Sequence, residues 1–224
     1  ELVDLGHLET ALPKEPRLAA VELPRTVGQL RQAATATRDM SWCNATIDTR
    51  SNIRSMLGPL GGAVVVFGPN NFPYAFNSCA GGDFAAAIAA GNPVIAKANT
   101  GHPGTTKIFA ECAFDAVQST GLPKATIQLL YRVLPEDGFK LVSHPMIGAT
   151  GFTGSKYAGL KFYAHPQKIG RNLYASIVME CIHRKPTIHG QTMGFFDRRK
   201  NLPLSVQKEG YPRTWADVHR NIIT

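Results

Sequence analysis

Val64-Val65-Val66-Phe67-Gly68-Pro69-Asn70-Asn71-Phe72-Pro73 carries an apolar strand into a glycine-punctuated turn. Further along, Ile147-Gly148-Ala149-Thr150-Gly151-Phe152-Thr153-Gly154-Ser155 repeats the pattern. Each reads as a strand, a Gly-rich turn and the start of a helix. Such a turn points unpaired backbone N–H groups the same way as the helix dipole and makes an anion site. Two of them in one α/β unit suggest a ligand with a phosphate end and a reactive end.

Outward from these turns, strand and helix alternate. Residues 63–67 form a continuous apolar run suited to a buried parallel strand. Residues 72–90, rich in Ala and Phe with Pro73 in the first turn, read as a helix closed by Gly91. Strand 93–97, helix 103–119 closed by Gly121, strand 126–130, short helix 136–143, strand 147–150 and helix 155–164 follow. Residues 173–179 supply a fifth strand. This order predicts a mostly parallel, doubly wound α/β sheet with right-handed crossovers. Ahead of it, 26–40 reads as an amphipathic helix through Val27, Leu30, Ala33, Ala34 and Ala36. Residues 43–48 and 53–57 read as two short strands. Beyond Ser176 no period of 2 or 3.6 persists, and the segment need not fold.

Composition narrows the function classes. With 224 residues, 44% of them hydrophobic, the chain can bury one sizeable core. No apolar run is long enough to span a bilayer, so no membrane partner is expected. Glu1-Leu2-Val3-Asp4-Leu5-Gly6 lacks the basic start and apolar stretch of a signal peptide. It reads as the middle of an acidic amphipathic helix, and the chain is expected to begin inside a larger protein. The four cysteines, Cys43, Cys79, Cys112 and Cys181, form no CxxC pair, which fits a reducing cytoplasm. Cys79 and Cys112 read as small buried hydrophobes. The formal net charge is +8, but residues 181–224 hold eight Lys or Arg against three Asp or Glu. Basic character therefore belongs to the tail and not to a stripe across a folded face, which argues against a nucleic-acid partner. Arg198-Arg199-Lys200 lacks interleaved aromatics and reads as a solvated run. Cys181, His183 and His189 are irregularly spaced and have no fourth partner nearby, so no metal site is expected.

Three stretches in succession carry a resemblance: Gly68-Pro69-Asn70-Asn71-Phe72-Pro73, Lys97-Ala98-Asn99-Thr100-Gly101-His102-Pro103-Gly104-Thr105 and Gly151-Phe152-Thr153-Gly154-Ser155. In order and spacing they resemble landmarks of the aldehyde dehydrogenase superfamily. Gly28-Gln29-Leu30-Arg31, Ser41-Trp42, Ile47-Asp48-Thr49, Leu57-Gly58-Pro59-Leu60-Gly61 and Ala80-Gly81-Gly82-Asp83 bring the chain closest to its NADP-preferring 2-oxoglutarate-semialdehyde (2,5-dioxovalerate) dehydrogenases. The likeness spans about residues 7–175. It implies a Rossmann-like doubly wound parallel sheet with helices on both faces, the cofactor domain of that superfamily. Residues 1–61 would be the N-terminal region, 62–175 the NAD(P)-binding domain and 176–224 a divergent, irregular basic tail.

The resemblance also implies roles. Asn71 would donate its side-chain amide to an oxyanion, an interaction that contributes about 2.7–4 kcal/mol to lowering a barrier. From the local sequence it could equally cap a helix. Lys97, at the end of a buried strand, would bind the adenosine ribose; otherwise it is a snorkelling surface lysine. Strictly NAD-dependent members carry Glu three residues later, which repels a 2′-phosphate. Thr100 removes that repulsion, so NADP is the expected cofactor and NAD the second candidate. His102 would assist or else sit in solvent. Gly154 and Ser155 would hold the pyrophosphate, with Ser155 also a plain N-cap.

Two departures stand out. The superfamily's general-base Glu falls in Leu173-Tyr174-Ala175-Ser176-Ile177, where Ser176 takes its place, and Glu180 would serve only over a rerouted backbone. The nucleophilic Cys falls near 210, where Lys208-Glu209-Gly210-Tyr211-Pro212 has none, and Cys181 lies too close to the strand end. The expectation is a cofactor-binding part of an NADP-dependent aldehyde dehydrogenase, inactive alone. Its partner would be a nicotinamide dinucleotide, with a small aldehyde substrate only in the intact protein, a cytoplasmic setting, and homo-oligomers in the superfamily. The alternative is a non-catalytic nucleotide-binding or structural protein with a basic partner-binding tail.

Overall fold

The computed structural model describes residues 1–164 and four two-residue strand segments, Ile177–Val178, Met193–Gly194, Phe196–Asp197 and Leu202–Pro203. Helix α1 (Leu2–Thr10) leads through a helical segment, Lys14–Glu22, kinked at Glu15, into α2 (Leu23–Asp39). A small antiparallel hairpin follows, β1 (Thr46–Asp48) and β2 (Ile53–Ser55), every residue of it exposed. Then come β3 (Ala63–Phe67), α3 (Gly82–Ala89), β4 (Val94–Lys97), α4 (Pro103–Ser119), β5 (Ile127–Leu130), α5 (Pro135–Val142), β6 (Ile147–Phe152) and α6 (Lys156–Ala164).

The four main strands form one parallel sheet in the order β5-β4-β3-β6. Alternation along β3 explains its two faces. Val64 and Val66 meet Phe84, Ala87, Ala110 and Val117 of α3 and α4, while Val65 and Phe67 meet Val142, Ala158 and Phe162 of α5 and α6. The sheet is thus doubly wound, as the element order predicts. Burial of each β3 valine stabilises by roughly 1.5–3 kcal/mol, which fixes this strand at the centre. The chain leaves β3 for β4 and β5 on one side, then returns to β6 on the other. The switch in direction falls between β3 and β6, where the carboxyl ends of strands open a crevice.

Three expectations are corrected. The helix read over 72–90 begins only at Gly82. Backbone N–H groups of Tyr74 and Ala75 bond the Glu22 carboxylate, and Asn77 bonds Pro73 O, Thr106 Oγ1 and the Cys79 N–H, so the groups of a helical ladder are already committed. Gly81 closes this turn, for a Cβ there would lie 2.6 Å from Phe76 backbone. Cys112 is exposed on α4, because Thr106, Ala110, Ala113 and Val117 mark that helix's inner face, whereas Cys79 is buried and its thiol is pushed up to about 12. Of the fifth strand over 173–179, only Ile177–Val178 lies among the described residues. It pairs antiparallel with Met193–Gly194, not with the main sheet. Ser176, Glu180, Cys181, His183, His189 and 198–200 lie outside the described residues.

Candidate functional site

The C-terminal ends of β3, β4 and β6 are neighbours. Phe67 is in register with Lys97 on one side and Phe152 on the other. The turns that follow them, which contain Asn71, Thr100 and Gly154-Ser155, therefore share one rim of the sheet. Hydrogen bonds tie these turns together. Asn99 Nδ2 donates to Gly68 O (3.0 Å), and Thr153 N donates to Phe67 O (3.0 Å).

His102 is buried and does not sit in solvent. Its Nε2 lies 2.8 Å from Pro69 O and its Nδ1 3.3 Å from Thr106 Oγ1. A carbonyl only accepts, so Nε2 donates to Pro69 O, while the Thr106 hydroxyl donates to the His102 carbonyl at 3.1 Å. Its role is to lock the β3 turn to the start of α4.

Asn71 is exposed beyond the β3 turn. Its carbonyl accepts from Arg17 Nη2 at 2.9 Å, while its side-chain amide has no hydrogen bond among the described residues. The N-cap alternative is removed, because no helix starts there. Lys97 is half-buried at the end of β4, and burial lowers its ammonium pKa. Thr100 is exposed at the tip of the next turn, where Gly101 N bonds Asn99 Oδ1 at 2.9 Å. Ser155 caps α6: its Oγ accepts from Ala158 N (3.3 Å) and its carbonyl from Gly159 N (3.0 Å).

Charge separates the helix N-termini that could take a phosphate. Helix α3 has Asp83 in its first turn, and α5 has Glu136 and Asp137. Helix α4 borrows a carboxylate: Glu9 of α1 accepts from Gly104 N (2.7 Å) and Thr105 N (2.8 Å). Helix α6 has no acidic residue in its first turn, and among the described residues it is the flanking helix whose positive end carries no carboxylate. It also stands beside β3 at the switch point. Among the described residues this helix start is therefore the one left open to an anionic group.

Sequence reasoning missed Glu9, Arg17, Glu22 and Asp83. The first three act on partners more than fifty positions away in sequence, and no local pattern marks them. Asp83 was visible in Ala80-Gly81-Gly82-Asp83, but only folding shows its carboxylate over Gly151, where a Cβ would lie 3.0 Å from Oδ2.

Comparison with known proteins bears on the family and the fold. Residues 1–188 match the model of the aldehyde dehydrogenase family. Alpha-ketoglutaric semialdehyde dehydrogenase 2 of Azospirillum brasilense is 44% identical over 181 residues, covering 75% of this chain and 34% of the relative. The alpha-ketoglutaric semialdehyde dehydrogenase of Acinetobacter baylyi is 39% identical over 173 residues, covering 73% and 32%. The chain thus spans about a third of the length of these relatives. Among solved structures, PnpE from Pseudomonas sp. WBC-3 in complex with nicotinamide adenine dinucleotide superposes with a TM-score of 0.65 at 22% identity, over 79% of this chain and 34% of that one. The glyceraldehyde-3-phosphate dehydrogenase GapN from Methanocaldococcus jannaschii, complexed with NADP, gives 0.62 at 21% identity, over 79% and 37%. These two share the fold. With the family match over most of its length and a parallel sheet whose turns carry the three motifs, the chain belongs to the aldehyde dehydrogenase family.

Proposed function

We propose that this chain is the dinucleotide-binding part of a semialdehyde dehydrogenase that accepts NADP and oxidises 2,5-dioxovalerate or a near relative to the acid. The observation that carries the reading is the N-terminus of α6 at the β3–β6 switch point, which carries no carboxylate among the described residues. Two alpha-ketoglutaric semialdehyde dehydrogenases among the relatives support the substrate class.

A nicotinamide dinucleotide bound there supplies a hydride acceptor. The chain's own residues bind and orient it. Gly154 lets the main chain approach the diphosphate, and Ser155 offers a hydroxyl and an N–H. Lys97 and Thr100 take the ribose and its 2′-phosphate, Lys97 by charge and Thr100 as a neutral donor. The amide of Asn71, which has no hydrogen bond among the described residues, would donate to a substrate oxygen that gains negative charge.

Ser176 where a general base is expected, and the lack of a cysteine near 210, further imply that these 224 residues alone do not oxidise an aldehyde. Calorimetric titration of the chain with NADP and with NAD tests the binding part. Saturable binding with NADP tighter is expected, and no binding of either sinks the proposal. Formation of reduced nucleotide from an aldehyde by the purified chain sinks the inactivity claim.

A further inference from the structure

Arg17 and Glu22 lie on the N-terminal segment, outside every motif that pointed to the site, yet they hold the Asn71 turn. The Glu22 side chain is fully buried. Its Oε1 accepts the backbone N–H of Tyr74 (2.8 Å) and of Ala75 (3.0 Å). Its Oε2 accepts Arg17 Nη1 at 2.7 Å. The other arm of the same guanidinium, Nη2, donates to Asn71 O at 2.9 Å. The guanidinium carbon also lies 4.3 Å from the centre of the Phe72 ring.

A buried carboxylate survives only when its charge is paired and its lone pairs are used, and these three donors meet that need. The consequence for the turn is a clamp at both ends: Arg17 fixes the carbonyl of Asn71, and Glu22 fixes the N–H groups of Tyr74 and Ala75. The segment between them is held from both sides, and the Asn71 side chain has no hydrogen bond among the described residues. From this geometry we infer that Arg17 and Glu22 are positioning residues for the Asn71 amide, an ion pair of a half-buried guanidinium on a buried carboxylate that sets the direction of the oxyanion donor. The inference rests on the role proposed above for Asn71. A lysine at 17 would keep a charge for Glu22 but lose the planar fork that reaches both partners and stacks on Phe72.

The test is nitrogen relaxation and amide hydrogen exchange on the full 224-residue chain. In Arg17→Lys the backbone order parameter at Asn71 is expected to fall from about 0.85 to below about 0.6, with Tyr74 and Ala75 still protected. In Glu22→Gln, exchange at Tyr74 and Ala75 is expected to speed by roughly tenfold or more. Amide shifts in α4 and β5 should stay in place in both. An unchanged Asn71 in Arg17→Lys overturns the inference, as does loosening that spreads evenly through α4 and β5; Arg17→Lys alone decides if Glu22→Gln does not fold. An NADP titration of the wild-type chain is read separately. Its failure removes the proposed function and leaves the clamp standing, while a rigid Asn71 in Arg17→Lys removes the clamp and leaves nucleotide binding standing.

Discussion

Replacing Asp83 with Asn is expected to stabilise the protein at neutral pH. Asp83 sits in the first turn of α3, its carboxylate packed against the main chain at Gly151, and no ion pair reaches it among the described residues. Burial pushes its carboxyl up to about 6, from an ordinary value of 3.8. A carboxyl with a raised folded pKa binds its proton more tightly in the native state than in the unfolded one. Its contribution is therefore fully present below pH 4 and is lost as pH rises through about 6. Two units correspond to about 3 kcal/mol. The side chain keeps some solvent contact, and the positive end of α3 favours the anion by about 0.3–1 kcal/mol, so about 2 kcal/mol remains. Urea unfolding followed by circular dichroism, on both proteins at pH 4 and pH 7.5, isolates this group because the other carboxylates titrate alike in each. The variant should match the wild type at pH 4 and exceed it by about 2 kcal/mol at pH 7.5. A stability difference that does not change with pH, or a variant weaker at pH 7.5, would refute the desolvation argument.

Two further outcomes are expected. Thr100→Glu should weaken NADP binding by roughly tenfold or more and leave NAD nearly unaffected, since a carboxylate a few ångströms from a 2′-phosphate repels it strongly where solvent is thin; calorimetry with both nucleotides reads it, and equal losses for the two would contradict the assignment. Glu9→Ala should cost about 1–2 kcal/mol in urea unfolding, because the Gly104 and Thr105 N–H groups at the head of α4 lose a charged acceptor. An unchanged unfolding midpoint would mean that water replaces the carboxylate without loss.

Much of the fold was legible because it is written in local patterns. The run 63–67 is apolar on both faces and became β3 with those bounds. Pro103 and Gly121 bracket α4, whose observed span, Pro103–Ser119, is the one read from the sequence. The stretch 72–81 was misread because Ala, Phe and Tyr suit a helix, while the groups that prevent one come from elsewhere. Glu22 reaches Tyr74 and Ala75 from the N-terminal segment, and Thr106 of α4 bonds Asn77. The solvated reading of His102 failed for the same reason. A His beside Pro-Gly looks solvent-facing, and only the approach of Pro69 and Thr106 buries it.

The candidate site divides in the same way. The Ser155 cap was readable because a strand, a glycine and a cap follow one another directly. Why α6 rather than α4 offers an open helix start to an anion was not readable, for that depends on where carboxylates end up in space. Asp83, Glu136 and Asp137 can be counted along the chain, but α4 shows no acid of its own in its first turn. From sequence alone, α4 therefore looks as ready for an anion as α6, and it lies directly after Lys97 and Thr100. Glu9 resolves the tie by crossing from α1 to occupy those N–H groups. The N-terminal segment thus bears on two parts of the site at once. Through Glu9 it closes a competing anion position, and through Arg17 and Glu22 it holds the turn that presents Asn71. The sheet cut free of residues 1–40 would keep its glycine turns but lose both contacts. On the function proposed above, its phosphate site would then lose its uniqueness and its amide donor its direction.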